Sequence, residues 1–111
     1  MGKFIAGDIL VIPFPYTDLS QFKRRPALIL KDLDNEDYLL AMITSKSYNS
    51  PYSLLITVTD FHSGSLPVDS YVRCNRLFEV NSSIVIKKAA SLTGSFTNKV
   101  IDNLIEFLKS K

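Results

Sequence analysis

The sequence predicts a mainly β protein: a small antiparallel barrel or curled sheet with one helix packed on it at the C-terminal end. Two patterns along the chain indicate this class. Five or six short apolar or alternating runs, each about the length of a strand, are separated by polar turns. After them, apolar residues recur at helical spacing from Phe96 to Leu108. Strands followed by a single helix favour a sheet on which that helix packs.

The apolar runs give the positions of the strands. We expect strands within residues 9–12, 27–30, 38–43, 54–59, 71–77 and 84–92, with 38–43 central. An ordered loop of about ten residues is expected after the first strand, and a second long loop over residues 60–70. The Lys87–Lys88 pair is expected to lie on a solvated edge, and Ser95 or Thr97 to cap the helix.

Length and composition are those of one ordinary globular domain over residues 1–111. The net charge of +2 permits a polyanionic partner without requiring one. The single cysteine, Cys74, excludes an internal disulfide and fits a reducing compartment. No secretory signal and no apolar stretch of membrane-spanning length is visible, so the sequence predicts a cytoplasmic protein without membrane contact.

Three consecutive cations, Lys23, Arg24 and Arg25, are the first candidates for a binding site. Neighbouring cations repel one another unless an anion visits them. Because Pro26 cannot donate a ladder hydrogen bond, the second strand is expected to begin there or to lie at an edge. Arg25 would then lie at the mouth of the strand, where its planar fork of donors suits a phosphate. The alternative is a solvated surface arginine.

The aromatic residues Phe14, Tyr16 and Phe22 precede or interleave with these cations. Rings beside cations form the surface that single-stranded nucleic acid prefers, with stacking worth about 1–3 kcal/mol per base. The alternative is that the rings fold inward as core.

Polar residues end or line two of the predicted strands. Thr44, Ser45 and Lys46 follow the central strand, where hydroxyls can bond a phosphate oxygen or their own backbone. In the run 71–77, Arg73 and Asn75 share one face while Arg76 falls on the other. Arg73 could clamp an anion and Asn75 could read a base edge; otherwise both are polar residues on a wet face.

His62 is the only side chain whose unperturbed pKa lies near neutrality. A lone histidine in a loop is more often an ordinary polar residue than a ligand, and one cysteine cannot complete a metal site with it. The chain shows no phosphate-cradling glycine motif, no CxxC pair and no nucleophile elbow. The sequence therefore predicts no metal site and no cofactor.

Four ordered motifs together resemble the PemK/MazF (Kid-like) toxins of type II toxin–antitoxin systems. They are Gly-Asp-Ile-Leu-Val-Ile-Pro-Phe-Pro-Tyr-Thr-Asp from Gly7, Arg-Arg-Pro-Ala-Leu-Ile-Leu from Arg24, Ala-Met-Ile-Thr-Ser-Lys from Ala41 and Tyr-Val-Arg-Cys-Asn-Arg-Leu-Phe from Tyr71. The resemblance covers nearly the whole chain. It implies an SH3-like barrel with a C-terminal helix, a homodimer, and a cognate antitoxin as partner.

The resemblance also implies an activity: a metal-independent endoribonuclease acting on single-stranded RNA, such as mRNA, at short sequences. The ribose 2′-hydroxyl attacks the adjacent phosphorus and leaves a 2′,3′-cyclic phosphate and a 5′-hydroxyl. The family's catalytic arginine and threonine fall on Arg25 and Thr44, and Ser45, which follows Thr44, is expected to share its role. The predicted RNA-binding residues are Phe14, Tyr16, Asp18, Phe22, Lys23, Arg24, Lys46, His62, Arg73 and Asn75.

The chain departs from the family pattern in its acidic residues. Asn75 stands where the Kid-like motif has Asp, and Ser20 lies about where an acidic loop residue is expected. The proton acceptor is left open between Asp18, His62, Arg25 and water. Two alternatives follow: a non-catalytic RNA-binding barrel, which Asn75 favours, and a gyrase poison on the same type of barrel. The absence of Trp and the C-terminal sequence Phe-Leu-Lys-Ser-Lys speak against the second.

Overall fold

The computed structural model describes residues 3–15 and 22–111, with Pro15 and Phe22 described by their backbone only. Within these residues the elements are β1 (Asp8–Pro15), β2 (Phe22–Asp32), β3 (Asp37–Thr44), β4 (Ser53–Ile56), β5 (Phe61–Gly64), β6 (Ser70–Asn81), β7 (Lys87–Leu92) and α1 (Gly94–Lys109). The strands form one antiparallel sheet in the order β4-β6-β3-β2-β1-β7-β5, curled into a half-barrel. The predicted fold class, mainly β with a C-terminal helix, is confirmed.

The inner strands β1, β2 and β3 bury side chains on both faces of the sheet, which explains their continuous apolar runs. On one face, residues such as Ile9, Leu28 and Ile43 belong to a cluster with Phe96 and Val100 of α1. The opposite face carries a second cluster. Its buried members are Leu10, Ile12, Ala27, Ile29, Tyr38, Leu40 and Val80. The helix therefore covers only one of the two apolar faces.

α1 begins at Gly94, two residues before the apolar stripe. Its cap is Thr93, whose Oγ1 accepts a hydrogen bond from the amide of Phe96 at 3.1 Å, so the prediction of Ser95 or Thr97 is wrong. Thr97 is buried and donates to the carbonyl of Thr93. No helix among residues 3–15 and 22–111 is long and apolar enough to cross a membrane.

Near the first loop, β1 and β2 are longer than predicted. β1 continues through Pro13 to Pro15, and β2 begins at Phe22, so Arg25 and Pro26 lie inside a strand. Pro13, Pro15 and Pro26 are tolerated inside β1 and β2 because each strand pairs on only one side at these positions. β7 pairs with β1 only as far as Val11, and β3 pairs with β2 only from Ala27 onward.

The region 54–70 also differs from prediction. β4 ends at Ile56, because Thr57 and Asp60 form a capping box that turns the chain into a short 3-10 helix. Val58, expected in the strand, is 85% exposed. Part of the expected loop 60–70 is the edge strand β5. β5 pairs with β7 only from Ala90 to Leu92, so among the described strands β7 has only β1 as a partner at Lys87 and Lys88. Both lysines are exposed, so this stretch of β7 is a solvated edge, as predicted.

Candidate nucleic-acid interface

Arg25 and Thr44 lie on neighbouring strands at the same end of the sheet. Pairing between β2 and β3 ends at Ala27 and Met42, and Arg25 and Thr44 each lie two residues beyond that last pair. Both residues line each of two adjacent cavities. We call this meeting point the seam.

The first cavity, the aromatic groove, has a volume of about 710 Å³. It adjoins the second core cluster, because Phe14 and Phe78 both pack against that cluster and line the groove. Its walls combine rings, aliphatic chains and cations. Phe14 and Phe78 contact each other with ring centroids 4.9 Å apart. The described lining residues are Phe14, Arg25, Met42, Thr44, Tyr48, Arg73, Asn75, Arg76, Leu77 and Phe78.

β6 supplies five of these residues, and its pairing with β3 is irregular at this point. β3 pairs Met42 with Arg73 but the preceding residue, Ala41, with Leu77, so residues 74–76 form a bulge opposite β3. Bulges redirect side chains and often occur beside functional sites. Strict alternation placed Arg76 on the face opposite Arg73; this prediction is wrong because the bulge turns both into the groove.

Tyr48, in the loop between β3 and β4, covers Arg73. The guanidinium carbon of Arg73 lies 3.8 Å from the ring centroid of Tyr48, and the Lys46 ammonium lies 5.2 Å from it. Both distances fall within the range of cation–π attraction. The ring therefore restrains the Arg73 guanidinium at the groove wall.

The helix holds the end of this loop in place. Asn103 donates a hydrogen bond of 3.1 Å to the carbonyl of Pro51, and the ring of Tyr52 packs edge-on against Phe107. The carbonyl of Tyr52 in turn accepts from the amide of Cys74, within the bulge. The loop is thus fixed to α1 on one side and to the groove floor on the other.

The second cavity, the basic cleft, has a volume of about 670 Å³. Neighbouring residues of a strand point to opposite faces, so Arg24 and Ile43 face the helix side of the sheet while Arg25 and Thr44 face the aromatic groove. The two cavities thus flank one end of the sheet. The described lining residues of the cleft are Val11, Lys23, Arg24, Arg25, Pro26, Ile43, Thr44, Ser45, Ser65, Leu66, Pro67, Val68, Ser70, Lys87, Lys88 and Ala89.

Charge is strongly segregated at this end of the molecule. Seven of the thirteen Lys and Arg residues line the two cavities, and none of their described lining residues is Asp or Glu. The whole chain carries a net charge of only +2. A concave surface with one sign of charge concentrates counter-ions of the opposite sign, here polyanions.

The hydroxyl of Thr44 is oriented by its own loop. Its Oγ1 accepts a hydrogen bond of 3.1 Å from the amide of Lys46. The hydroxyl proton is then available to a second oxygen at the seam, because a hydroxyl both accepts and donates. The local backbone bond and a role at the seam are therefore compatible.

Cys74 lies behind the groove, on the other face of β6, and its side chain is fully buried. Burial raises the pKa of this thiol to about 11, because the apolar surroundings disfavour the thiolate. The thiol is protonated at neutral pH, so it has no nucleophilic role there.

The predicted site residues divide into four groups. Phe14, Arg25, Thr44, Arg73 and Asn75 line the aromatic groove, and the structure brings them together. The basic cleft collects further predicted residues, namely Lys23, Arg24 and Ser45. Tyr16 and Asp18, together with the side chain of Phe22, lie outside the described residues.

Two predicted residues lie away from the cavities. His62 is exposed on the edge strand β5 and lines neither cavity. Lys46 lines neither cavity, although its ammonium lies near Tyr48. The described residues also contain no group of three or more His, Cys, Asp or Glu positioned to hold a metal ion.

Sequence reasoning missed Tyr48, Arg76, Phe78 and the Lys87–Lys88 pair as parts of these cavities. Tyr48 lies in a polar loop with no periodic pattern, and Arg76 depends on the bulge. Lys87 and Lys88 depend on β7 pairing with β1. The one available signal was the aromatic–cation combination Lys46–Tyr48.

The fold has known counterparts among solved structures. An endoribonuclease from a mycobacterial species, determined with its cognate antitoxin, superimposes with a TM-score of 0.76 at 15% identity, covering 97% of each chain. The MazE–MazF complex from Deinococcus radiodurans gives 0.75 at 19% identity, covering 96% of each chain. A further endoribonuclease from a mycobacterial species gives 0.73 at 17% identity, covering 97% of this chain and 93% of that one. At these identities the likeness shows the fold.

Sequence comparison places the chain in a family. No curated protein gave a significant match. The family model for the PemK-like, MazF-like toxin of type II toxin–antitoxin systems, however, matches residues 5–108, nearly the entire chain. The fold, the four motifs and this match agree: the chain belongs to the PemK/MazF family of type II toxin–antitoxin system toxins.

Proposed function

We propose that this protein is an endoribonuclease toxin that cuts single-stranded RNA, including mRNA, at short sequences without a metal cofactor. The observation that carries the proposal is the pair of cation-lined cavities that meet at Arg25 and Thr44 and that have no carboxylate among their described lining residues. One cavity offers rings for bases and the other offers ammonium and guanidinium groups for phosphates. Family membership and the endoribonuclease counterparts of the fold support the same reading.

The proposed reaction is an internal transesterification at the seam. The ribose O2′ forms a bond to the adjacent phosphorus while the bond from phosphorus to O5′ breaks. A proton leaves O2′ and another reaches O5′, so the products are a 2′,3′-cyclic phosphate and a 5′-hydroxyl. Donors of Arg25 and the Thr44 hydroxyl stabilise the charge that develops on the phosphoryl oxygens. Loss of one such donor typically costs about 3–4 kcal/mol of transition-state stabilisation.

The proton acceptor is the open part of this mechanism. Among the described residues that line the two cavities there is no carboxylate and no histidine. His62 lies on β5, away from both cavities, so we leave it out of the proposal. Asp18, water and Arg25 itself remain as acceptors. Arg25 is a reluctant base because a guanidinium holds its proton strongly.

The test is cleavage of a panel of single-stranded RNAs by purified protein in EDTA, with the new ends mapped by sequencing. We expect cuts at one short motif, with a cyclic phosphate upstream and a 5′-hydroxyl downstream. An Arg25→Ala, Thr44→Ala double variant should lose cleavage. A Lys99→Ala variant, which removes an exposed charge on α1, should keep it. No cleavage of any RNA, or equal cleavage by the double variant, would contradict the proposal.

A second candidate is a barrel that binds RNA without cutting it. Asn75 favours this reading, since an amide in place of the motif's carboxylate cannot exchange a proton at ordinary pH. The two candidates differ in one experiment with Asn75→Asp. Cleavage that appears only in this variant would favour the binding barrel, whereas cleavage by the unaltered protein favours the enzyme.

The proposal includes two partners. An antitoxin with an acidic or amphipathic segment would fit these cation-lined cavities, as MazE–MazF complexes among the structural counterparts suggest. A protein encoded beside this one should copurify with it and compete with RNA. We also propose a homodimer, to be tested by light scattering. The family match lends no support to the gyrase alternative.

A further inference from the structure

The basic cleft differs from the aromatic groove in having no aromatic side chain among its described lining residues. It has five cations, four hydroxyl side chains and otherwise aliphatic or proline surface. Hydroxyls and cations are the groups that contact phosphate and sugar, whereas rings are needed to stack bases. The chemistry of the cleft therefore suits a sugar–phosphate backbone.

Two lysines of β7 form one wall of the cleft, and their situations differ. The ammonium of Lys88 lies 3.2 Å from Oδ1 of Asp8, a carboxylate only 3% exposed. This pair ties Lys88 to the fold. Lys87 is exposed and has no ion pair within the described residues. Lys87 is the lysine whose charge remains for a ligand.

The cleft begins where the proposed reaction takes place. Lys87 pairs with Val11, which pairs with Pro26, the residue after Arg25. Two strand spacings, roughly 10 Å, therefore separate the backbone of Lys87 from that of Pro26. One RNA chain can contact both Arg25 at the seam and Lys87 in the cleft.

We propose that the basic cleft is a second RNA-binding site that holds the sugar–phosphate backbone on one side of the scissile phosphate, with Lys87 as a phosphate ligand. This inference rests on the proposed function. The aromatic groove takes bases on the other side of the cut. The RNA crosses the end of the sheet at the seam, and its grip on the basic cleft depends on length but not on base sequence.

The test measures the affinity of two uncuttable 2′-O-methyl RNAs, one of about three nucleotides that fills the aromatic groove and seam, and one of about ten that extends beyond them. Lys87→Ala is compared with Lys99→Ala, which removes the same charge from α1. Thermal unfolding of both variants confirms that they are folded. Lys88→Ala is avoided because it would leave the buried Asp8 carboxylate unpaired.

We expect Lys87→Ala to lower the affinity for the long RNA several-fold. The log–log plot of this affinity against salt concentration should become shallower by about 0.7, the contribution of one phosphate contact. The short RNA should bind both variants equally, and changing bases at the cleft end should have no effect. Equal affinity of the two variants for the long RNA would overturn the inference, as would equal weakening of both RNAs by Lys87→Ala. If the unaltered protein binds neither RNA, the proposed function itself fails and the inference with it.

Discussion

The aromatic groove and the basic cleft have nearly the same volume, share Arg25 and Thr44, and differ in almost everything else. The groove is built from the bulge of β6 and a loop held by α1, with rings beside arginines. The cleft is built from residues of several strands and from the loop residues 65–68, and three of its five cations are lysines. Arginine presents a planar fork and stacks on rings, whereas lysine is a mobile point charge.

This difference teaches how one end of a small sheet can separate two tasks. Under the proposed function, the rigid groove selects bases by shape and hydrogen bonds, while the cleft binds the backbone whatever its sequence. The seam between them is where both tasks act on the same phosphate. Substitutions should therefore sort into three classes by position: seam, groove or cleft.

The largest effect is expected at the seam. Arg25→Ala should lower the single-turnover cleavage rate by about 10²–10³-fold for every RNA, because a charge-stabilising donor is lost from both cavities at once. Arg25→Lys keeps the charge without the planar fork of donors, so its cleavage rate should lie between those of the unaltered protein and Arg25→Ala. A loss below about tenfold, measured by quenched time courses, would remove Arg25 from the reaction.

The next effect belongs to the groove. Tyr48→Leu removes the ring 3.8 Å from the Arg73 guanidinium, so Arg73 is no longer restrained. We expect KM to rise about tenfold with little change in kcat, from lost cation–π and stacking energy. Tyr48→Phe keeps the ring and should restore KM. If Phe and Leu at this position behave alike, the ring has no positioning role.

A smaller effect is expected at the wall of the cleft. Gly64 has a φ of +71°, and a Cβ there would lie 2.7 Å from the carbonyl oxygen of Ala89. Gly64→Ala should lower the free energy of unfolding by about 1–3 kcal/mol. It should also lower the affinity for long RNAs a few-fold without changing the affinity for short ones, because residues 65–68, which follow Gly64, line the cleft.

The matched control is Gly94→Ala. A Cβ at Gly94 meets no atom within 4 Å and its backbone is helical, so the variant should be as stable as the unaltered protein or more so. Thermal unfolding of the two variants gives the comparison. Equal melting temperatures would show that the packing around Gly64 adjusts.

The smallest effect is expected behind the groove. Cys74→Ala should leave cleavage unchanged between pH 7 and 9, because burial keeps the pKa of the thiol at about 11. In the unaltered protein, the Cys74 thiol should react only slowly with iodoacetamide at pH 8. The folded state holds this proton to higher pH than the unfolded state does, so stability should fall as pH rises from about 9 to 11. A Cys74→Ala variant should lack that part of the fall, as seen in urea titrations.

The sequence was sufficient for the fold class, for both residues of the seam and for half of the described residues that line the groove. Strand runs and the helical stripe reflect burial, which acts residue by residue and is visible locally. The order of the motifs placed Arg25, Thr44, Arg73 and Asn75 in one group, and the structure does the same. Their catalytic and binding roles stay predictions.

What the sequence could not supply depends on long-range pairing. The prolines of β1 lie in a strand because β7 stops pairing at Val11, and Arg76 enters the groove because β6 shifts register by three residues against β3. The basic cleft exists because β7 lies beside β1, far away along the chain. No local pattern encodes these contacts.

The bulge of β6 has one further consequence. Residues 74–76 stand outside the β3 ladder, while pairing resumes on both sides at Arg73 and Leu77. Asn75 and Arg76 can consequently be replaced by other residues without breaking any hydrogen bond between β3 and β6. At this place in the chain, diversification of what the molecule recognises is uncoupled from maintenance of its scaffold.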